Sequence, residues 1–168
     1  VNTNAYLTVD GIDRTKLDLF DDPDRTGVYE MEFNVVNLSN KTVNYQLDLV
    51  GMTESVSTSD SNHVSETSKV LGGNTTYEVV SGGTLEGSRL SVNPNETAKL
   101  KVTYTLSDSD KKYIDSSFPY GMYVEGFVKL LNEDENSIDL NIPFLAFYGD
   151  WTEAPLFDKT YYEVESEA

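Results

Sequence analysis

An apolar residue at every second position recurs along this chain, and that spacing limits the fold more than any other feature. Tyr29, Met31, Phe33 and Val35 alternate with Glu30, Glu32 and Asn34. Val43, Tyr45, Leu47 and Leu49 alternate with Asn44, Gln46 and Asp48, and Leu100, Val102, Tyr104 and Leu106 with Lys101, Thr103 and Thr105. Successive side chains of a strand point to opposite faces, so each run reads as a strand with one buried face and one wet face. Met122, Val124, Val128 and Leu130 supply one face of a further strand, and Ile138, Leu140 and Ile142 begin the last long one. Polar clusters at 37–41, 93–96 and 132–136 have turn chemistry. The first of these joins two strands either as a hairpin or as a corner between sheets. Glycine pairs at 72–73 and 82–83 flank a short strand around Tyr77, and the Ser/Thr-rich stretch 53–69 reads as a long loop or a ragged hairpin.

Helical spacing appears once. Ser107 stands three residues before Asp110, a capping-box spacing, and one or two turns over 111–114 would bridge two strands across the top of the fold. The pattern as a whole predicts an all-β chain, an antiparallel β-sandwich with one short helix. The last strand breaks the alternation: every residue from Phe144 to Tyr148 is apolar or aromatic, so both faces want cover. That strand either switches sheets or packs against a neighbouring domain. Pro143, which cannot donate to a ladder, is expected at an edge or a bulge.

At 168 residues the chain is long enough for a single domain with its own core, and its 38% hydrophobic content is too high for an acidic disordered tail. It has no Cys and one His, which excludes disulfides, thiol catalysis and His-rich metal centres. A net charge of −17 disfavours nucleic acid and anionic membrane surfaces as partners. No apolar run approaches the length of a membrane helix, so membrane insertion is not expected. A monomer is expected. A chain that begins at Val1 and closes on an acidic stretch reads as a piece of a longer polypeptide, with a domain over 1–158 and an acidic linker over 159–168.

Few residues suggest chemistry. His63, the sole imidazole, lies in a Ser/Asn-rich stretch with no apolar frame to orient it, so a serine-protease triad within this chain is not expected. Glu125 shares a strand face with Tyr123 and Phe127 and would be either a perturbed acid or a half-buried structural one. Asp18, Asp21, Asp22 and Asp24 crowd together just downstream of Asp10 and Asp13; they are the only, weak, candidates for a calcium site, since the spacing departs from that of a calcium loop. Glu133, Asp134 and Glu135 read as a hairpin turn. Sequons beginning at Asn37, Asn40, Asn74 and Asn95 decide nothing by themselves. No catalytic residue and no cofactor is assigned.

The C-terminal third carries a resemblance. Residues 123–128 (Tyr-Val-Glu-Gly-Phe-Val), 142–151 (Ile-Pro-Phe-Leu-Ala-Phe-Tyr-Gly-Asp-Trp) and 154–158 (Ala-Pro-Leu-Phe-Asp) resemble the fibronectin-III-like domain of Gram-positive cell-envelope subtilisin-like serine proteases. This is the lactocepin and streptococcal complement peptidase family. The run from Leu90 to Thr97 is similar to the strand–turn–strand before that domain's short helix. Phe118-Pro119-Tyr120-Gly121 departs from the Pro-Asn-Gly turn the family often has, and the 53–69 loop is longer than expected. The resemblance implies a fibronectin-III/immunoglobulin-like sandwich, outside the cell or attached to its wall, with no catalytic residue of its own. It also implies a supporting role for a catalytic domain, with neighbouring domains of the same polypeptide and protein substrates as partners. The alternatives are a surface adhesin or carbohydrate-binding sandwich with Trp151 stacking on sugar, and a calcium-stiffened stalk.

Overall fold

The computed structural model describes residues 5–9, 16–55 and 68–153. Along them run β1 (Ala5–Thr8), β2 (Leu17–Asp22), β3 (Val28–Asn37), β4 (Val43–Glu54), β5 (Ser68–Val70) and β6 (Asn74–Ser81). Then come β7 (Thr84–Glu86), β8 (Arg89–Val92), β9 (Thr97–Thr105), helix α1 (Asp108–Ser117), β10 (Met122–Asn132), β11 (Leu140–Tyr148) and a 3-10 turn at Trp151–Glu153. The strands form two sheets, one in the order β1-β3-β9-β6 and the other β2-β11-β10-β4-β8-β7, with β5 on the last residues of β4. The result is the β-sandwich that the alternation calls for.

The apolar members of each alternating run meet between the sheets. Val35, Leu90, Leu100, Val102, Val124 and Val128 are fully buried there. The 37–42 turn is a corner, not a hairpin, because β3 pairs with β1 and β9 while β4 pairs with β10 and β8. Asn37 anchors that corner. Its amide donates to the carbonyls of Lys41, Val92 and Asn93, and its Oδ1 accepts from the Ser39 N–H and hydroxyl. Asn37 is 0% exposed, so its nitrogen is unavailable to a glycan.

One ladder departs from the antiparallel expectation: β2 runs parallel to β11. Both strands end at the same end of the sandwich, where the turn after Asp22 carries the chain into β3 of the other sheet, so they must run side by side in one direction. Pairing of β11 with β2 begins only at Phe144, which leaves Pro143 before that ladder. Ile138, expected to open the last strand, is exposed and precedes it; the strand starts at Leu140.

Helix α1 closes that same end. The Ser107 hydroxyl accepts from the Asp110 N–H and the Asp110 carboxylate accepts from the Ser107 N–H, completing the capping box read in the sequence. The helix has ten residues, longer than the one or two turns expected, because its inner face gains Ile114 as a buried plug. Asp110 is also buried and reaches across to the Gly72 N–H at 3.1 Å, which ties the helix to the loop between β5 and β6.

Residues Phe144 to Tyr148 are all buried. Phe144, Ala146 and Tyr148 belong to the central core, whereas Leu145 and Phe147 turn to the outer face and lie outside it. Part of their cover comes from the chain itself. The Trp151 ring lies 5.2 Å from that of Phe147 and 6.1 Å from that of Tyr123, and the Phe147 and Tyr123 rings meet edge to face.

Candidate functional site

The four aspartates offered for calcium do different work. Asp22 is buried, and its two oxygens accept four protein donors: the Thr26 N–H and hydroxyl, the Gly27 N–H and the Tyr29 hydroxyl, at 2.8–3.1 Å. Burial and the adjacent Asp22 carboxylate push the Tyr29 phenol far above its ordinary value, so it stays protonated as the donor. Asp21 accepts from the Trp151 N–H, and Asp18 from the Phe20 N–H at a backbone irregularity where Phe20 takes φ 62. Asp24 is exposed. Among the described residues no group of three or more His, Asp or Glu is placed to hold a metal ion. Asp10, Asp13, His63, most of the 53–69 stretch and the 158/159 boundary lie outside the described residues.

Glu125 projects from β10 beside Tyr123 and Phe127 as expected, on the outer face, opposite Met52 of β4 and Leu145 of β11. Glu133–Glu135 form the turn read in the sequence. The Arg89 guanidinium clasps Glu133 at 2.7 and 3.1 Å, and that hydrogen bond holds the Glu133 carboxyl below the usual range.

The outer faces of the two sheets differ sharply. On the four-stranded sheet, Lys99 meets Glu32 and Lys101 meets Glu30, each at 3.5 Å, a charged lattice suited to water. On the other sheet, the register aligns Phe127 with Val50 on one side and Pro143 on the other, and Met52 with Val70. Phe127 is 38% exposed, Leu131 41% and Val70 68%. An antiparallel sheet facing solvent ordinarily presents polar side chains there; this face instead exposes several apolar ones around Lys129 and its cross-strand neighbour Asp48. Sequence reasoning took Glu125 and Phe127 from this face but missed its extent. The available signal was the pairing of apolar neighbours, Leu49 with Val50 and Leu130 with Leu131, where strict alternation fails.

At the end opposite the helix a cleft of about 290 Å³ opens between residues 39–45 and 132–138, with Ala5 at its edge. Tyr45 lines it and is 1% exposed. Among the described residues Tyr104 carries the sealed side-chain oxygen that lacks a partner. The Tyr45 hydroxyl also has no hydrogen-bond partner among them but is not sealed, so it is the part of Tyr45 that opens onto the cleft. Burial and then the Asp139 carboxylate raise its pKa, which keeps it a donor. Trp151, the residue offered for sugar stacking, is on the outer aromatic cluster and not here. Nothing in the alternation distinguished Tyr45 from any other inward residue.

The Fn3-like domain family matches residues 20–145. The chain is 24% identical over 94% of its length to the PI-type and PIII-type proteinases of Lactococcus lactis subsp. cremoris, and equally to a PII-type proteinase of Lacticaseibacillus paracasei. It spans only 7% of the length of each. Among solved structures, the PapD-like domain of human CEP192 is similar in fold, with a TM-score of 0.51 at 8% identity, covering 86% of this chain and 84% of that one.

Proposed function

The chain belongs to the Fn3-like domain family, and on that premise we propose that it is a non-catalytic accessory module of a secreted or cell-wall-attached subtilisin-like serine protease in a Gram-positive bacterium. Its work is to support and position the catalytic module, with the neighbouring domains of the same polypeptide as its partners and protein substrates as further ones. The module itself is a monomer. The observation that carries this reading is the apolar outer face of β4, β10 and β11. A face with Phe127, Leu131 and Val70 exposed is suited to being covered by another folded module. Trp151 packs against this same face through Phe147 and Tyr123. Similarity to proteinases over 7% of their length supports a part of such a protein that is distinct from its catalytic centre.

Two measurements test the reading. The isolated chain should leave casein intact; turnover abolished by a serine-directed inhibitor would refute it. In a longer polypeptide that includes the catalytic module, Phe127→Asp should lower the melting temperature of that module. The same substitution in the isolated chain should lower melting by less, because there only the contacts with Val50 and Pro143 are lost. Unchanged melting and an unchanged substrate profile in the longer polypeptide would overturn the docking role.

A further inference from the structure

The cleft at the end opposite the helix is remote from the apolar outer face, and what it offers does not depend on the accessory-module reading. Its volume of about 290 Å³ is at the small end of ligand sites, which run about 300–1,000 Å³. The polar groups around it are partly spent on the protein itself, and the way they are spent leaves a specific remainder. Asn132 Oδ1 accepts from the Asp134 N–H, so its amide oxygen is consumed while its Nδ2 donor has no partner among the described residues. Asn132 stands opposite Tyr45 in the ladder, so both side chains lie on the same side of the sheet. The Tyr45 hydroxyl adds a second donor on a ring that is otherwise sealed in the core.

The chemistry of the lining narrows the ligand. An anion would meet one cation, Lys41, against Glu133, Asp134 and the charge of −17 on the whole chain, and is disfavoured on balance. A cation finds little to hold it: Glu133 is engaged by Arg89, and the Asp134 oxygens by the Asn136 N–H and the Ser137 hydroxyl. An aliphatic ligand would bury amides without partners. A neutral polyhydroxylated ring satisfies all the conditions. Its oxygens accept from the two donors, and its C–H face rests on the apolar flank given by Val43 and Ile138.

We propose that this cleft binds a short neutral saccharide, held by the Tyr45 hydroxyl and the side-chain amide of Asn132. The probes are N-acetylglucosamine, maltose and lactose, added separately to the ¹⁵N-labelled chain and followed by amide shifts. At least one should move resonances of residues 39–45 and 132–138, saturating, with the rest of the spectrum unchanged. Tyr45→Phe removes the phenolic donor and should weaken that binding about tenfold, the factor one net hydrogen bond carries. Asn132→Asp keeps the oxygen that caps Asp134 but removes the amide donor, and should weaken it by a similar factor. Asn132→Asp carries the test if Tyr45→Phe melts early. The proposal is overturned if no probe moves these resonances, if the shifts fall elsewhere, if glycerol or acetate gives the same shifts, or if both variants bind as the wild type does.

Discussion

Tyr104→Phe removes the sealed phenolic oxygen that has no partner among the described residues. The ring extends from β9 across the core into a slot between two glycine backbones: a Cβ at Gly51 would stand 2.5 Å from Oη and 2.7 Å from Cζ, and one at Gly73 2.6 Å from Cε1. The Gly73 backbone lies close enough to influence the phenol, yet no hydrogen bond of acceptable geometry forms, so the donor is taken as unsatisfied. A buried unpaired donor costs about 1–3 kcal/mol. Deleting it leaves a one-atom hole, worth only about 0.3 kcal/mol at ~24 cal/mol per Å³. The net expectation is a stabilisation of about 1 kcal/mol, or roughly 2–4 °C in melting temperature for a chain of this size. Denaturant unfolding with an unchanged m-value is the assay. Gly51→Ala should cost about 1–3 kcal/mol by overpacking. Adding Tyr104→Phe to it should rescue little, because Cζ at 2.7 Å and Cε2 at 2.8 Å still collide with the new methyl. A loss of 1 kcal/mol or more in the single Tyr104→Phe variant would mean the hydroxyl is bonded after all, and the reasoning would fail.

Asp22→Ala strips the acceptor from two backbone N–H groups and two hydroxyls at the entry to β3 and should cost about 2–4 kcal/mol, read from the same unfolding curves. Since those oxygens are already engaged, a chelator should not change melting; a rise on adding calcium would show the carboxylates open to a cation. At high pH, burial favours the protonated phenol of Tyr29 and raises Tyr77 and Tyr148 to about 12. In the unfolded chain these groups ionise near 10, so their stabilisation is complete below pH 10 and is lost as pH rises from there through the folded values. Melting temperature should therefore fall steeply above pH 10, and Tyr29→Phe should make that fall shallower; equal slopes would contradict the burial argument.

How much was legible beforehand varies from element to element. The inward residues of β3, β4, β9 and β10 were readable because side-chain direction in a strand follows from position alone, and the helix start was readable because a capping box is three residues long. The structural role of Asp22 was not legible because its donors come from the turn that follows, whose shape depends on β2 meeting β11. The outer face escaped notice because Val50, Val70, Phe127 and Pro143 come from four strands and become neighbours only by register.

The sequence by itself determined that the chain is a two-layered all-β fold, which residues of each long strand point inward, and where helix α1 begins. These are local matters, settled by a period of two and by contacts a few residues apart. Only the tertiary structure decided that β3 and β4 part at a corner, that β2 runs beside β11, and that one outer face is apolar and the other charged. It also decided that the Tyr45 side chain stands opposite Asn132 at the mouth of one cleft. Alternation specifies a face but not a partner, and the partners here are separated by tens of residues, so their choice rests on how the two sheets pack as a whole.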